Sequence, residues 1–452
     1  MKQQKTQLIL LRLATLVLAL LLCASAAAEG FQPCHKVTSS YEETKQDNLS
    51  RVRIWQVETV RPEVTQEVNG FAAAWAAELS TDLPAAGNNG KRNSRLDVEI
   101  RYSRTGLSWM SFLVQARTTY HWKLTGQRFI TRTYNMVTGE RILLTDIFPE
   151  DSPAWDLLAE TVRETLLSYW PDEEPDEEEL NALCSRPALE QAEFTLHGMS
   201  LVLHYCASEL YPDRYTLMEV PFYYPQIRPM MTEDAKRETD NLAYYKTCAL
   251  TFDDGPVSTN TPKVLDALME TGTRATFFVI GNRIDDNRIF VQREHDNGHA
   301  VASHNWHHGN ATKSSGAALR RMPEKVNTAM IKAIGIPVRY NRVPGGRYPP
   351  MIEAKVHWAY IQWSLDTYDW RGRKTSEVLS AVKKKIRDGD IILCHDTKDR
   401  TPESTRQIVH YLEEQGYLLL TVDELFAKDN VELELYKVYY RCENGETGKR
   451  SD

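Results

Sequence analysis

From Tyr244 onward, short apolar runs alternate with stretches of helical period, and this rhythm limits the folds open to the chain. CALTF, ATFFVIG, AYIQWSL and DIILCH have the length of strands. TPKVLDALMETG, ALRRMPEKVNTAMIKAIG, the segment from Ser376 to Arg387 and the run to Gln415 have the length and spacing of helices. Strand–helix alternation with glycine-containing joints builds parallel β/α units, either a barrel or a wound sheet. In such folds reactive groups gather where strands end. VELELYKVYYRC reads as one more strand before a short tail.

Residues 29–232 follow another rule. LDVEIRYS, WMSFLVQARTTYHW and RFITRTYNM alternate with a period near two, and strand patterns return at AEFTLHGMSLVLHYC and RYTLMEVPFYY. Between them, Ser152 to Trp170 is an amphipathic helix with Trp155, Leu158, Val162, Leu166 and Tyr169 on one stripe. PDEEPDEEEL reads as a solvated acidic loop or face. This is an α+β unit. The polar stretch MMTEDAKRETDN marks the linker, giving the division 1–28, 29–232, 233–245, 246–427 and 428–452.

The first of these segments reads as a targeting signal. Lys2, Lys5 and Arg12 precede the apolar run Leu13–Ala28, which ends in small residues. That is the pattern of a secretory signal peptide, with an uncleaved membrane anchor as the alternative, and it places the chain outside the cytoplasm. The net charge of −8 argues against nucleic acid as a partner. Of the 7 cysteines, Cys23 lies in the leader and Cys394 reads as a lone buried thiol. Cys184 and Cys206 are the one pair suggested as a disulfide, since both fall in the same unit.

Residues with chemical potential fall at successive strand ends of the C-terminal half. TFDDGP carries Asp253 and Asp254 into a Gly-Pro turn. His304 and His308 in GHAVASHNWHH are spaced to share a divalent ion, whereas His299 and His307 read as bystanders. Arg342 opens RVPGG and can hold a carboxylate in its planar fork. WSLDTYDW places Asp369 upstream of His395 in DIILCHD, a pairing suited to a general acid.

Taken in order, these five motifs resemble the polysaccharide deacetylases of carbohydrate esterase family four, the NodB-homology domain, over about Lys246–Phe426. The resemblance implies a distorted (β/α) barrel and one divalent metal ion, zinc first, with cobalt or nickel as substitutes. It implies Asp254, His304 and His308 as metal ligands and Asp253 as general base. Arg342 would orient that base, His395 would be the acid tethered by Asp369, and Gly345 would offer its N–H to the oxyanion. Trp363 and Leu393 would wall the acetate pocket. Two positions depart from the family pattern: Asn305 follows the first metal histidine where Ser or Thr is usual, and Gly345 stands where the family often has Tyr.

VTGERILLTDIF and LHGMSLVLHY with VPFYY are similar to the extracellular domain of lysozyme-sensing anti-sigma factors, which implies lysozyme as a possible partner; His121, His197 and His204 there read as structural. The implied function is metal-dependent deacetylation of N-acetylglucosamine, or N-acetylmuramic acid, in peptidoglycan. Chitin oligomers or acetylated xylan are the other polymers open to it. A metal-free glycosidase and a catalytically silent wall-binding or lysozyme-sensing protein are the alternatives from other classes.

Overall fold

The structure is a computed structural model and describes residues 36–45, 50–81, 83 and 94–448. The leader, Cys23 and Cys34 lie outside the described residues. Among the described residues, no helix is long and apolar enough to cross a membrane.

Strands β1 (Val37–Lys45), β2 (Ser50–Thr59), β3 (Ser94–Thr105), β4 (Trp109–Tyr120), β5 (Lys123–Asn135) and β6 (Arg141–Ile142) form one sheet in chain order. Neighbours run antiparallel except β2 beside β3, which are joined through helix α1 (Pro62–Ser80). Val64, Val68, Ala72 and Ala76 recur every four residues on α1 and meet Val98, Ile100 and Phe112 of the sheet. A second, three-stranded antiparallel sheet follows: β7 (Phe194–Leu196), β8 (Ser200–Cys206) and β9 (Leu217–Tyr223). Helix α2 (Ala154–Ser168) packs with it, burying Trp155, Leu158, Val162 and Leu166 as its periodicity requires.

The C-terminal half is a curled sheet of nine strands, all paired in parallel: β10 (Lys246–Asp253), β11 (Thr276–Val279), β12 (Ala300–Ser303), β13 (Tyr340–Asn341), β14 (Ala359–Ile361), β15 (Leu365–Asp366), β16 (Asp390–His395), β17 (Tyr417–Leu420) and β18 (Val438–Tyr439). Their order is β15-β16-β10-β11-β12-β13-β14-β18, with β17 on the first half of β10. Helices α3 (Thr261–Glu270), α4 (Arg288–Asp296), α5 (Met322–Ile334), α6 (Thr375–Lys385) and α7 (Thr401–Glu414) connect the strands. Strand parity sorts the core into two layers. Leu250, Phe252, Phe277, Val279, Ile392 and Cys394 pack outward under the helices. Ala249, Phe278, Ala302, Tyr340, Ile361, Ile391 and Leu393 fill the inside of the curl.

The segment 233–245 is folded, not an open linker. Glu238 is buried and accepts the backbone N–H groups of Leu107 and Ser108 at 3.2 and 3.1 Å. Asn241 accepts from Gly106 N at 2.8 Å and donates to Thr105 Oγ1 at 2.7 Å and Gly198 O at 2.8 Å. Polar composition misleads here because these side chains satisfy turns of the neighbouring sheets instead of water. VELELYKVYYRC also departs from expectation: only Val438–Tyr439 is strand, because Tyr436 sits at φ +66° and interrupts the extended run.

Cys184 and Cys206 are free, which corrects the suggested disulfide. Cys184 terminates a short helix, whereas Cys206 ends β8 with its thiol 3.7 Å from Gln127 O. Cys394 is a free, fully buried thiol on the outward face of β16.

Two polar networks join the N-terminal sheets to the C-terminal half. Arg293 on α4 donates to Glu99 at 2.8 Å and Asp266 at 2.6 Å, and Arg53 reaches Asp266 at 2.7 Å. Nearby, Thr195 Oγ1 lies 2.8 Å from His197 Nε2 and 2.7 Å from His204 Nε2. Arg101 and Arg274 line the same cavity as His197 and His299. Burial first, and the two arginines next, hold all three imidazoles well below their ordinary pKa.

Candidate active site

The parity that fills the curl with apolar side chains sets where the reactive ones point. Asp253 continues the inward series of Ala249 and Thr251, His304 that of Ala302, Arg342 that of Tyr340, Trp363 that of Ile361 and His395 that of Leu393. All stand at or just past the C-terminal ends of neighbouring parallel strands. Asp253 on β10 is in direct register with His395 on β16 and Phe278 on β11.

Arg342 is fully buried, yet every arm of its guanidinium is used. It donates to Asp253 Oδ1 at 2.8 Å, Thr251 Oγ1 at 2.7 Å, Ile361 O at 3.1 Å and Gln362 O at 3.0 Å. Its carbon lies 3.9 Å over the Phe278 ring and 5.9 Å from that of Trp363. A buried charge held on so many sides is a rigid clamp, and it fixes one oxygen of Asp253. The other oxygen faces His304 Nε2 at 3.8 Å.

Asp254 leaves the strand at φ +79°, which turns its carboxylate toward the two histidines. Its Oδ1 lies 3.5 Å from His304 Nε2 and 3.2 Å from His308 Nε2. Ligand atoms of the three residues all fall within 4.8 Å of one another. His304 Nδ1–H donates to Arg342 O at 2.7 Å, which leaves Nε2 with its lone pair toward the carboxylate. Asp254 Oδ1 is buried and has no hydrogen-bond donor. A buried carboxylate oxygen without a donor, facing two imidazoles, fits a divalent ion bound by one oxygen and two nitrogens.

Asn305 adopts φ +64°, a conformation that Asn tolerates. Its Oδ1 accepts from Asn341 Nδ2 at 3.0 Å, and its N–H donates to Asn341 Oδ1 at 3.1 Å. The loop between the two metal-site histidines is thus tied to β13.

On the opposite wall, Asp369 Oδ1 lies 2.7 Å from His395 Nδ1, and Asp369 Oδ2 accepts His395 N–H at 2.7 Å. Burial lowers the pKa of His395, but the Asp369 contact and the charges of Asp253 and Asp254 outweigh it, leaving the imidazole above its ordinary value. Trp363 and Leu393 belong to one apolar cluster inside the curl. Gly345 is exposed at φ +65°, and a Cβ on Gly346 would press on Trp363 at 3.2 Å, so the glycines let the main chain run close to that ring. His299 and His307 stay outside the cluster; His299 Nδ1 accepts from Ala275 N at 3.2 Å.

Three supports were not singled out from sequence. Arg283 donates to Asp254 O. Thr401 Oγ1 reaches Asp369 Oδ2 at 3.3 Å. Asp396 is fully buried beneath the Asp254–Gly255 turn, accepts from Thr261 Oγ1, and is pushed up to about 7, mainly by burial. A carboxylate directly after His395 at the end of an apolar strand was the only signal for it.

The family described as Polysaccharide deacetylase matches residues 243–360. The peptidoglycan-N-acetylglucosamine deacetylase PgdA of Listeria monocytogenes is 37% identical over 195 residues, covering 43% of this chain and 41% of the relative. The match thus spans about two fifths of that relative's length. A peptidoglycan-N-acetylglucosamine deacetylase of Bacillus cereus is 33% identical over 188 residues, covering 40% of this chain and 88% of the relative. Among solved structures, the Xyl-CE4 domain of a multidomain xylanase from the hindgut metagenome of Trinervitermes trinervoides is 33% identical, with 45% of this chain and 100% of that one covered and a TM-score of 0.42. With one relative of this identity covered along most of its length, and with the five motifs gathered at one end of a curled parallel sheet, the chain belongs to the polysaccharide deacetylase family.

Proposed function

We propose that the protein hydrolyses the N-acetyl amide of N-acetylglucosamine, or N-acetylmuramic acid, in peptidoglycan outside the cytoplasm. The observation that carries this is the juxtaposition of Asp253, clamped by Arg342, with His395, tethered by Asp369, on paired positions of adjacent strands beside the Asp254–His304–His308 cluster. The family relatives named for peptidoglycan deacetylation support the choice of polymer.

Asp254, His304 and His308 would hold one divalent ion, zinc by the character of the donors. When bound it supplies Lewis acidity for the acetamide carbonyl and a more acidic water. Asp253 takes the proton of the attacking water, and Arg342 keeps the receiving oxygen in place. Gly345 offers its N–H where the carbonyl oxygen gains charge. Protonated His395, on the far wall, gives its proton to the nitrogen as the C–N bond breaks, and acetate and a free amino sugar result. Trp363 and Leu393 wall the space for the acetyl methyl. In this reading residues 246–427 are the deacetylase domain and 29–232 an accessory one.

The test is acetate release from peptidoglycan and from N-acetylglucosamine oligomers by the purified protein. Turnover that a chelator abolishes and added zinc restores is expected. No acetate from any glycan, with protein folded and zinc bound, would refute the reading.

A further inference from the structure

Arginines in this protein are ion-paired almost throughout, with one regional exception. Arg283, Arg320, Arg321, Arg347, Arg371, Arg373 and Arg400 meet no carboxylate among the described residues. All seven stand in segments that leave the C-terminal ends of β11, β12, β13, β15 and β16, the end of the sheet that carries the site. Elsewhere among the described residues, only Arg141 and Arg387 lack such a partner. Acids stand among them: Asp285 is bound to Arg288 and Lys332, Asp399 is bonded to Asn260, Asp366 accepts from Tyr368 N and Trp370 Nε1, and Asp286, Glu324, Glu353 and Glu377 are exposed. Arg347, two residues past Gly345, with Arg371 and Arg373 just past Asp369 and Arg400 beside Thr401, thus sets a basic rim of guanidiniums without carboxylate partners next to the site, in a chain whose net charge is −8.

Most of these guanidiniums rest on something. Arg371 covers the rings of Trp370 and Tyr368 at 4.6 and 4.9 Å, Arg373 covers Tyr368 at 4.7 Å, and Arg400 donates to the carbonyls of Gly372 and Arg373. Arg347 is exposed, and its Nε lies 3.9 Å from where a Cβ on Gly345 would stand. It thus occupies the flank of the groove that a side chain at 345 would otherwise build, two residues beyond the proposed oxyanion donor.

We propose that this rim, with Arg347 at its centre, selects glycan strands that carry carboxylates next to the acetamido sugar, such as lactyl and peptide substituents, over uncharged polymers such as chitin or xylan. The proposal deepens the functional reading above and rests on it for the site. A guanidinium fork matches a carboxylate in two parallel hydrogen bonds, and unpaired rim charges raise encounter rates with an oppositely charged strand.

The decisive probe is a pair of substrates differing only in charge: soluble peptidoglycan fragments, and the same fragments with their carboxylates amidated. Acetate release and binding to the Asp253→Asn protein are measured on both, in low and high salt. The wild-type rim should favour the native fragments, and the preference should shrink with salt. Arg347→Gln should raise KM for the native fragments and cut the native-over-amidated ratio of kcat/KM about five-fold, the scale of one surface charge pair. Equal treatment of both fragments by the wild type, or an unchanged ratio in Arg347→Gln, would overturn the proposal. Absence of acetate from either substrate would sink the deacetylase reading instead, and the binding arm would still judge the rim.

Discussion

Asp253 and His395 occupy paired positions on adjacent strands, but their surroundings push them toward opposite tasks. Asp253 has one oxygen committed to Arg342, whereas His395 has its Nδ1 committed to Asp369. Asp253→Asn keeps a hydrogen-bond acceptor for Arg342 and removes the basic oxygen. Under the proposed function, turnover should fall by about 10²–10⁴ or more while circular dichroism and the binding of added divalent metal stay native. Asp369→Asn tests the other wall. His395 must be protonated to serve as acid, and its pKa stands above the ordinary imidazole value. Activity is therefore lost as pH rises through that pKa. Without Asp369 the pKa drops, and the alkaline limb of the kcat profile should move to lower pH; an unmoved limb would mean another group titrates there.

The residues that the fold gathers at this end of the sheet were visible in the sequence because each ends a short strand whose inward parity is readable from its apolar neighbours. Asp396, Arg283 and Thr401 were not, since their value comes from contacts across the fold: Asp396 packs under Gly255 and accepts from Thr261, 135 positions earlier.

At the scale of elements, α2 was legible because its apolar stripe repeats with helical spacing and its buried residues are those of that stripe. Leu158, fully buried there, should cost about 2–5 kcal/mol of stability when changed to Ala, measured by denaturant unfolding. Helix α8 (Val422–Ala427) opens with Thr421, whose hydroxyl accepts from Glu424 N. Thr421→Ala should lower stability by about 1 kcal/mol. The last strand was read too long, because no local pattern announces that Tyr436 will take a left-handed conformation. The polar composition of 233–245 marks a linker, but its contacts are not legible for the converse reason: its polar side chains have partners far away in sequence.

Over the whole molecule, the N-terminal sheets and the catalytic half share buried charge and dry imidazoles. Removing Glu99, which lies between Arg117 and Arg293, leaves two buried guanidiniums short of a partner and should cost about 3–5 kcal/mol. His197, His204 and His299, facing Arg101, Arg274 and Glu219, are neutral in the folded state. Their folded-state pKa values are depressed, so unfolding takes up protons once the pH drops below about 6.5. Stability should be full above that pH and decline as pH falls, and a denaturation midpoint that ignored acidification across this range would contradict the assignment.

The folded connector has a bearing on how a polymer is worked. An enzyme whose modules hang on flexible string can hold one point of a mesh and sweep its catalytic part over several strands. Here Glu238 and Asn241 fasten the connection to both N-terminal sheets, and Arg293 ties those sheets to the C-terminal half through Glu99, so it provides no such swing. Under the proposed function, each fresh acetamide would be reached by lifting and reseating the whole body, and modified sugars along a strand would then fall as separate events instead of runs spreading from an anchorage.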